Sequence, residues 1–342
     1  MSTAVTLPAG PVRLRVHPRA LVVSAVVLAV TAACAVWALT LGAFHVPAAD
    51  VVRALTGRAG DALGGTIVLE WRLPRVVAAI VFGMALGVSG AVFQTLTRNP
   101  LGSPDIIGFN TGAYTGALVA IVVLGGSFAA IVAGALVGGL ATALVVVALV
   151  WRHGTQGFRL ILVGIGISAM LTAVNHWLIL TGELETAVSA AVWGAGSLNG
   201  VRWSAAAPSC VLVLVVLLVT GLTARHLAML DLSDDHASSL GLARGRVRLV
   251  LLVLATVLTA APTAVAGPIA FVALAAPQIG RRLAGAPGIP LLPAAATGGL
   301  LLLLGDVAGQ HLFTPIALPV GVVTVAVGGV YLVWLLAKEA RR

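Results

Sequence analysis

Arg72 and Arg75 lie three residues apart in Arg72-Leu73-Pro74-Arg75, so on a helix they share one face. Paired guanidinium N–H donors suit capture of carboxylates. The same two side chains could instead lay their stems on apolar surface and hold their heads in water at a membrane edge. A second polar stretch, Asp231-Leu232-Ser233-Asp234-Asp235-His236-Ala237-Ser238-Ser239-Leu240-Gly241-Leu242, reads as a short helix. Ser233 or Asp234 serves as its N-cap, the early acids suit its N-terminus, and Gly241 supplies the stop. Elsewhere the chemistry is sparse. The chain contains no phosphate-cradling Gly-x-x-x-x-Gly-Lys-Ser/Thr loop. It offers no paired catalytic acids, no Ser/His arrangement and no zinc-spaced histidines, and His176 has no metal-ligand partner at helical spacing. The expectation is a chain without catalytic residues, metal or cofactor.

The elements that must position these residues are membrane helices. Of 342 residues, 60% are hydrophobic and 9% charged, whereas a soluble domain carries about 25% charged residues. Ten apolar runs approach the length of a span, roughly 17–25 residues: residues 20–42, 74–95, 107–124, 128–151, 160–181, 204–224, 247–266, 269–281, 290–304 and 319–337. The fold class is therefore an all-α polytopic membrane protein with about ten transmembrane helices. Residues 1–19 form a tail, and residues 20–342 form one transmembrane domain. The first run exceeds the roughly 7–15 residues of a signal-peptide core, and Val46-Pro47-Ala48-Ala49 is a poor cleavage site, so it stays a span. Cys34 and Cys210 lie inside spans, where a thiol is a small apolar filler.

The net charge of +9 is a matter of topology. With an even number of spans both termini share a side, and fifteen of the twenty Lys and Arg fall there; the other side holds Arg53, Arg58, Arg72, Arg75 and Arg202. That asymmetry places both termini in the cytoplasm and argues against nucleic acid as a partner. Three connections, 43–73 and 182–203 outside and 225–246 inside, are longer than turns, and long segments on both faces imply partners on both faces. Among the 40 glycines, Gly83, Gly87, Gly90, Gly164 and Gly166 lie within spans, where small residues let backbones approach closely and could also line a conduit. Coupled carriers need acids or histidines near the midplane; only His176 lies inside a span, with Asp306 just past the end of the ninth. The energy source then belongs to another polypeptide.

Several blocks occur in one order along the chain. They are Arg72-Leu73-Pro74-Arg75, Asn99-Pro100-Leu101 with Pro104, Leu162-Val163-Gly164-Ile165-Gly166, Trp193-Gly194-Ala195-Gly196-Ser197-Leu198, and Ser239-Leu240-Gly241-Leu242. Further on come Ala266-Gly267-Pro268-Ile269-Ala270-Phe271-Val272, Pro277-Gln278-Ile279, Gly305-Asp306 and Leu318-Pro319-Val320-Gly321. In these blocks, covering roughly residues 40 to 337, the sequence resembles the FecCD family of ABC-importer permeases, which serve iron–siderophore, haem and cobalamin uptake. The resemblance implies a bacterial cytoplasmic-membrane subunit working by alternating access. It also implies cytoplasmic ATP-binding subunits, an external substrate-binding protein and a second permease subunit as partners, beside membrane lipid.

Residue by residue, the resemblance makes Arg72 and Arg75 the docking points for acids of the binding protein. It makes the stretch holding Asp234, Asp235, Ala237, Leu240 and Gly241 the helix that seats in the ATPase. It also puts the cytoplasmic gate at Thr155, Gln156 and Gly157, where a plain polar turn is an equal reading. For Asn110 and Asn175, helix–helix hydrogen bonding is the simpler role. The chain departs from the family at Gln310, where an Arg is common, and at Ala317, where a Glu is common. A homodimer would repeat both losses, so the expectation is a homologous, non-identical partner permease. A haem or cobalamin permease is the alternative, and a secondary transporter without ATPase a more distant one.

Overall fold

The computed structural model describes residues 5–9, 12–16, 18–58, 62–151, 157–232, 244–286, 288–313 and 315–339. Strands β1 (Val5–Ala9) and β2 (Val12–Val16) pair as an antiparallel hairpin with Leu7 opposite Leu14. The helices are α1 (Pro18–Thr40), α2 (Ala48–Leu55), α3 (Ala62–Thr66), a π-helical turn (Ile67–Arg72), α4 (Leu73–Thr97), α5 (Phe109–Val123), α6 (Phe128–Trp151) and α7 (Gly157–Thr181). They continue with α8 (Leu184–Gly194), α9 (Trp203–Leu222), α10 (Ala224–Leu232), α11 (Arg244–Ala266), α12 (Val272–Ala284), α13 (Leu291–His311) and α14 (Val320–Glu339). Among the described residues, seven helices are long and apolar enough to cross a membrane, and α5 and Val320–Trp334 of α14 are shorter apolar helices. With α12, every one of the ten expected runs corresponds to a helix.

The ninth run needs a correction. It was expected to stop near Leu304, but α13 continues to His311 and carries Asp306 within it, 2% exposed. The helix survives a buried acid because Arg75 and Gln310 hold the carboxylate. Paired and hydrogen-bonded charge can be buried where bare charge cannot.

α4 is the hub. It packs on α9, α11, α12 and α13, and its most apolar stretch is 83% buried, against 22% for that of α1. The close packing comes from one glycine face. A Cβ at Gly83 would overlap the Gly298 carbonyl, at Gly87 the Ala294 carbonyl and at Gly90 the Ala273 carbonyl. Gly112 and Gly116 of α5 meet Gly134 and Gly138 of α6 in the same way, a pair of small-xxx-small motifs interlocked face to face. The outward faces of α7 and α14 are apolar, with Met170, Leu180, Val330 and Val333 all exposed. Such faces belong against lipid or another chain.

Two helices are too short to cross alone. α12 has 13 residues and α5 has 15, which at 1.5 Å per residue gives about 20 Å, short of the ~30 Å hydrocarbon core. Loops must therefore fill the remaining depth, and buried loops need partners for their backbone. They have them: before α5 the Ile107 N–H donates to the Ser103 carbonyl at 3.2 Å, and before α12 the Gly267 N–H donates to the Thr263 carbonyl at 2.8 Å.

Candidate functional site

The rim around Arg72 is set by Pro74. A proline ring clashes with the carbonyl four residues back, and the backbone answers with the π turn, in which Leu73 N–H reaches Val68, five residues back. π turns inserted in helices often accompany function. Arg72 and Arg75 line one cavity of about 290 Å³ with Phe44, Trp71, Gln310 and His311, yet they reach different acceptors. Arg72 donates to the Leu39 carbonyl at 2.8 Å and to the Phe44 carbonyl, placing a cation at the negative end of α1. Arg75 grips Asp306 with Nε and Nη2, each at 2.8 Å, and its Nη1 donates to Asn199. Gln310 adds a third donor to Asp306 at 2.9 Å. The Arg75–Asp306 charges cancel, whereas the carbonyls around Arg72 leave its charge intact.

Asp306 and Asn199 join the two expected arginines at this rim. The signal for Asp306 was present, since a buried acid at the outer end of an apolar run demands a cation. Nothing in residue spacing pointed to Asn199.

At the opposite, arginine-rich face α4 ends on Arg98, whose backbone is left-handed with φ 50°. Its Nη2 donates to the Leu230 carbonyl at 3.2 Å, tying α10 to the foot of α4. Gln278 Nε2 donates to Gln94 Oε1 at 2.6 Å, and Gln94 donates to the Leu274 carbonyl at 3.0 Å, fastening α12 to α4. α10 leads into the expected coupling segment. Asp234, Asp235, Ala237, Leu240 and Gly241 lie outside the described residues, as do Thr155 and Gln156; Gly157 opens α7.

Between the faces, Asp105 stands in the loop before α5. It accepts the Phe271 N–H at 3.2 Å and an N–H of Asn110, and Asn110 Oδ1 accepts from Thr263 at 3.1 Å. Asn110 thus takes part in the helix–helix bonding expected of it. A largely apolar cavity of about 320 Å³ lies beside Phe271, between α12, α13 and α14. His176 is exposed on α7, and Asn175 is buried there with its Oδ1 unpartnered among the described residues, so the helix–helix bond expected of that oxygen is not made. Among the described residues, no group of three or more His, Cys, Asp or Glu could hold a metal ion.

A family model described as the FecCD transport family matches residues 28–338. The ferric enterobactin transport system permease protein FepG of Escherichia coli (strain K12) is 48% identical, the alignment covering 94% of this chain and 96% of the relative. The probable siderophore transport system permease protein YfhA of Bacillus subtilis (strain 168) is 36% identical, over 94% and 95% of the two chains. Among solved structures, a chain described as an inward-facing conformation of a metal-chelate type ABC transporter superposes with a TM-score of 0.82 at 26% identity, covering 94% of this chain and 99% of that one.

Proposed function

The chain belongs to the FecCD transport family, and from that premise we propose that it is the permease subunit through which a bacterial ABC importer carries an iron–siderophore chelate across the cytoplasmic membrane. The observation that carries this reading is likeness over nearly the whole of two siderophore permeases, which concerns the translocating scaffold itself rather than one shared segment. The subunit performs no covalent chemistry. It works by alternating access, driven by ATP binding and hydrolysis on separate cytoplasmic subunits, with the arginine-rich face and both termini in the cytoplasm. Asp234, Asp235, Ala237, Leu240 and Gly241 seat in the ATPase, while Thr155, Gln156 and Gly157 form the cytoplasmic gate.

The test is uptake of radiolabelled ferric enterobactin by cells that lack their own ferric-siderophore permeases. The cells receive this chain with a homologous second permease, an ATPase and a binding protein. Uptake should require all four, and Gly241→Glu should leave ATP hydrolysis running while transport falls. Uptake of haem alone would give the subunit to the rival substrate, and uptake that survives omission of the ATPase would end the ABC reading.

The external binding protein docks on the Arg72–Arg75 rim through acidic side chains. Because Asp306 already neutralises Arg75, Arg72 supplies this chain's net rim charge, and the fuller set comes from a non-identical partner permease. Arg72→Glu should weaken binding-protein association by about 2 kcal/mol or more, and Gln310→Arg should strengthen it. Titration calorimetry on the purified complex decides the matter: unchanged affinity in both variants would leave Arg72 as the cap of α1 alone.

A further inference from the structure

Three residues far apart in the chain meet inside the bundle: Asp105 before α5, Phe271 before α12, and Gly328 in α14. α5 and α12 both begin here, so two helix N-termini, each a source of unpaired N–H groups and positive dipole, converge near one carboxylate. The Asp105 carboxylate takes the Phe271 N–H at 3.2 Å and an N–H of Asn110. Phe271 has φ 67°, and Arg98 is the only other non-glycine with positive φ among the described residues. That backbone region is one L side chains avoid, and such outliers gather at switches.

The ring of Phe271 fills the notch at Gly328, where an added Cβ would overlap the Phe271 side chain. α14 packs mainly on α13 and, more thinly, on α12, where Arg282 also lies over the Trp334 ring, with the 320 Å³ cavity between the three helices. Val325, Val330 and Val333 are exposed on its surface. Its first turn is pinned, Gly321 N–H donating to Gly196. A pinned end, a void and one strained contact midway describe a pivot and a latch.

We infer that Asp105 is a positioning residue for translocation: by holding the Phe271 N–H it keeps the Phe271 ring seated on Gly328 and α14 closed on α12. Release of that hydrogen bond lets α14 swing about its Gly321 end and widen the cavity. The transport reading supplies only what the motion serves; the latch is a property of the fold.

Spin labels at Val330 on α14 and Leu222 on α9, in the full complex in lipid nanodiscs, read the motion. Asp105→Ala and Phe271→Gly should each shift the distances to longer, broader values, and the double variant should add nothing, because Asp105 acts through Phe271. Asp105→Asn, which retains one acceptor, should fall between. Uptake should drop about tenfold in each full variant while ATP hydrolysis continues. Phe271→Gly keeps the backbone N–H and takes positive φ without strain, so it carries the test if Asp105→Ala folds poorly. Unchanged distances in Phe271→Gly, or additive shifts in the double variant, would overturn the latch. A wild-type complex that moves as described but imports no siderophore would overturn the transport reading instead.

Discussion

Arg75→Met is expected to cost the fold about 3–5 kcal/mol, whereas Arg75→Met combined with Asp306→Leu costs far less. The single change leaves the Asp306 carboxylate, 2% exposed as a side chain, inside α13 with Gln310 still donating to it. The double change removes the buried charge together with its partner, and an apolar pair of similar volume suits its surroundings. The loss should also loosen the loop that carries Asn199, because Arg75 holds it through Nη1. Apparent melting midpoints in detergent, compared at one scan rate because such unfolding is commonly irreversible, give the cycle. Costs that simply add across the two sites would remove the ion pair as a determinant of stability.

A still larger effect is expected at the α4 glycine face. Gly90→Ala should strip the chain of folded, monodisperse protein, because the new Cβ meets the Ala273 carbonyl of α12, which is backbone and cannot rotate aside. Ordinary overpacking costs about 1–3 kcal/mol, and that range assumes flexible side chains as neighbours. Gly83→Ala and Gly87→Ala press on the carbonyls of Gly298 and Ala294 and should behave alike. Gly221→Ala in α9 is the control, since a Cβ there meets nothing within 4 Å. Size-exclusion profiles of the four variants decide it, and a monodisperse Gly90→Ala at wild-type yield would show that α4 and α12 can separate without loss.

Many span boundaries, though not the end of the ninth, are legible because crossing a bilayer is a local demand. About twenty apolar residues satisfy it wherever they stand in the chain, so the helix beginning at Phe128 and those ending at Thr181 and Ala266 end where hydropathy says they should. The π turn was not legible, although Pro74 was in view. Whether a proline kinks, caps or widens a helix depends on what packs against it, here Trp203 donating to the Leu69 carbonyl at 2.8 Å.

Hydropathy, charge bias and motif order are properties of the chain alone, so a polytopic helical permease of known family, with glycines within its spans, can be read from the residues without coordinates. Where the few polar groups point is a matter of helix packing. Arg75 and Asp306 are separated by 231 positions, and Asp105 and Phe271 by 166, so neither pairing has a signature at helical spacing. In an apolar interior each polar group must find a partner or pay several kcal/mol, and the partner is whichever group the helix packing delivers. That packing follows from glycine faces matching in space, and it turned two arginines of one motif toward different acceptors, one on the end of α1 and one inside α13.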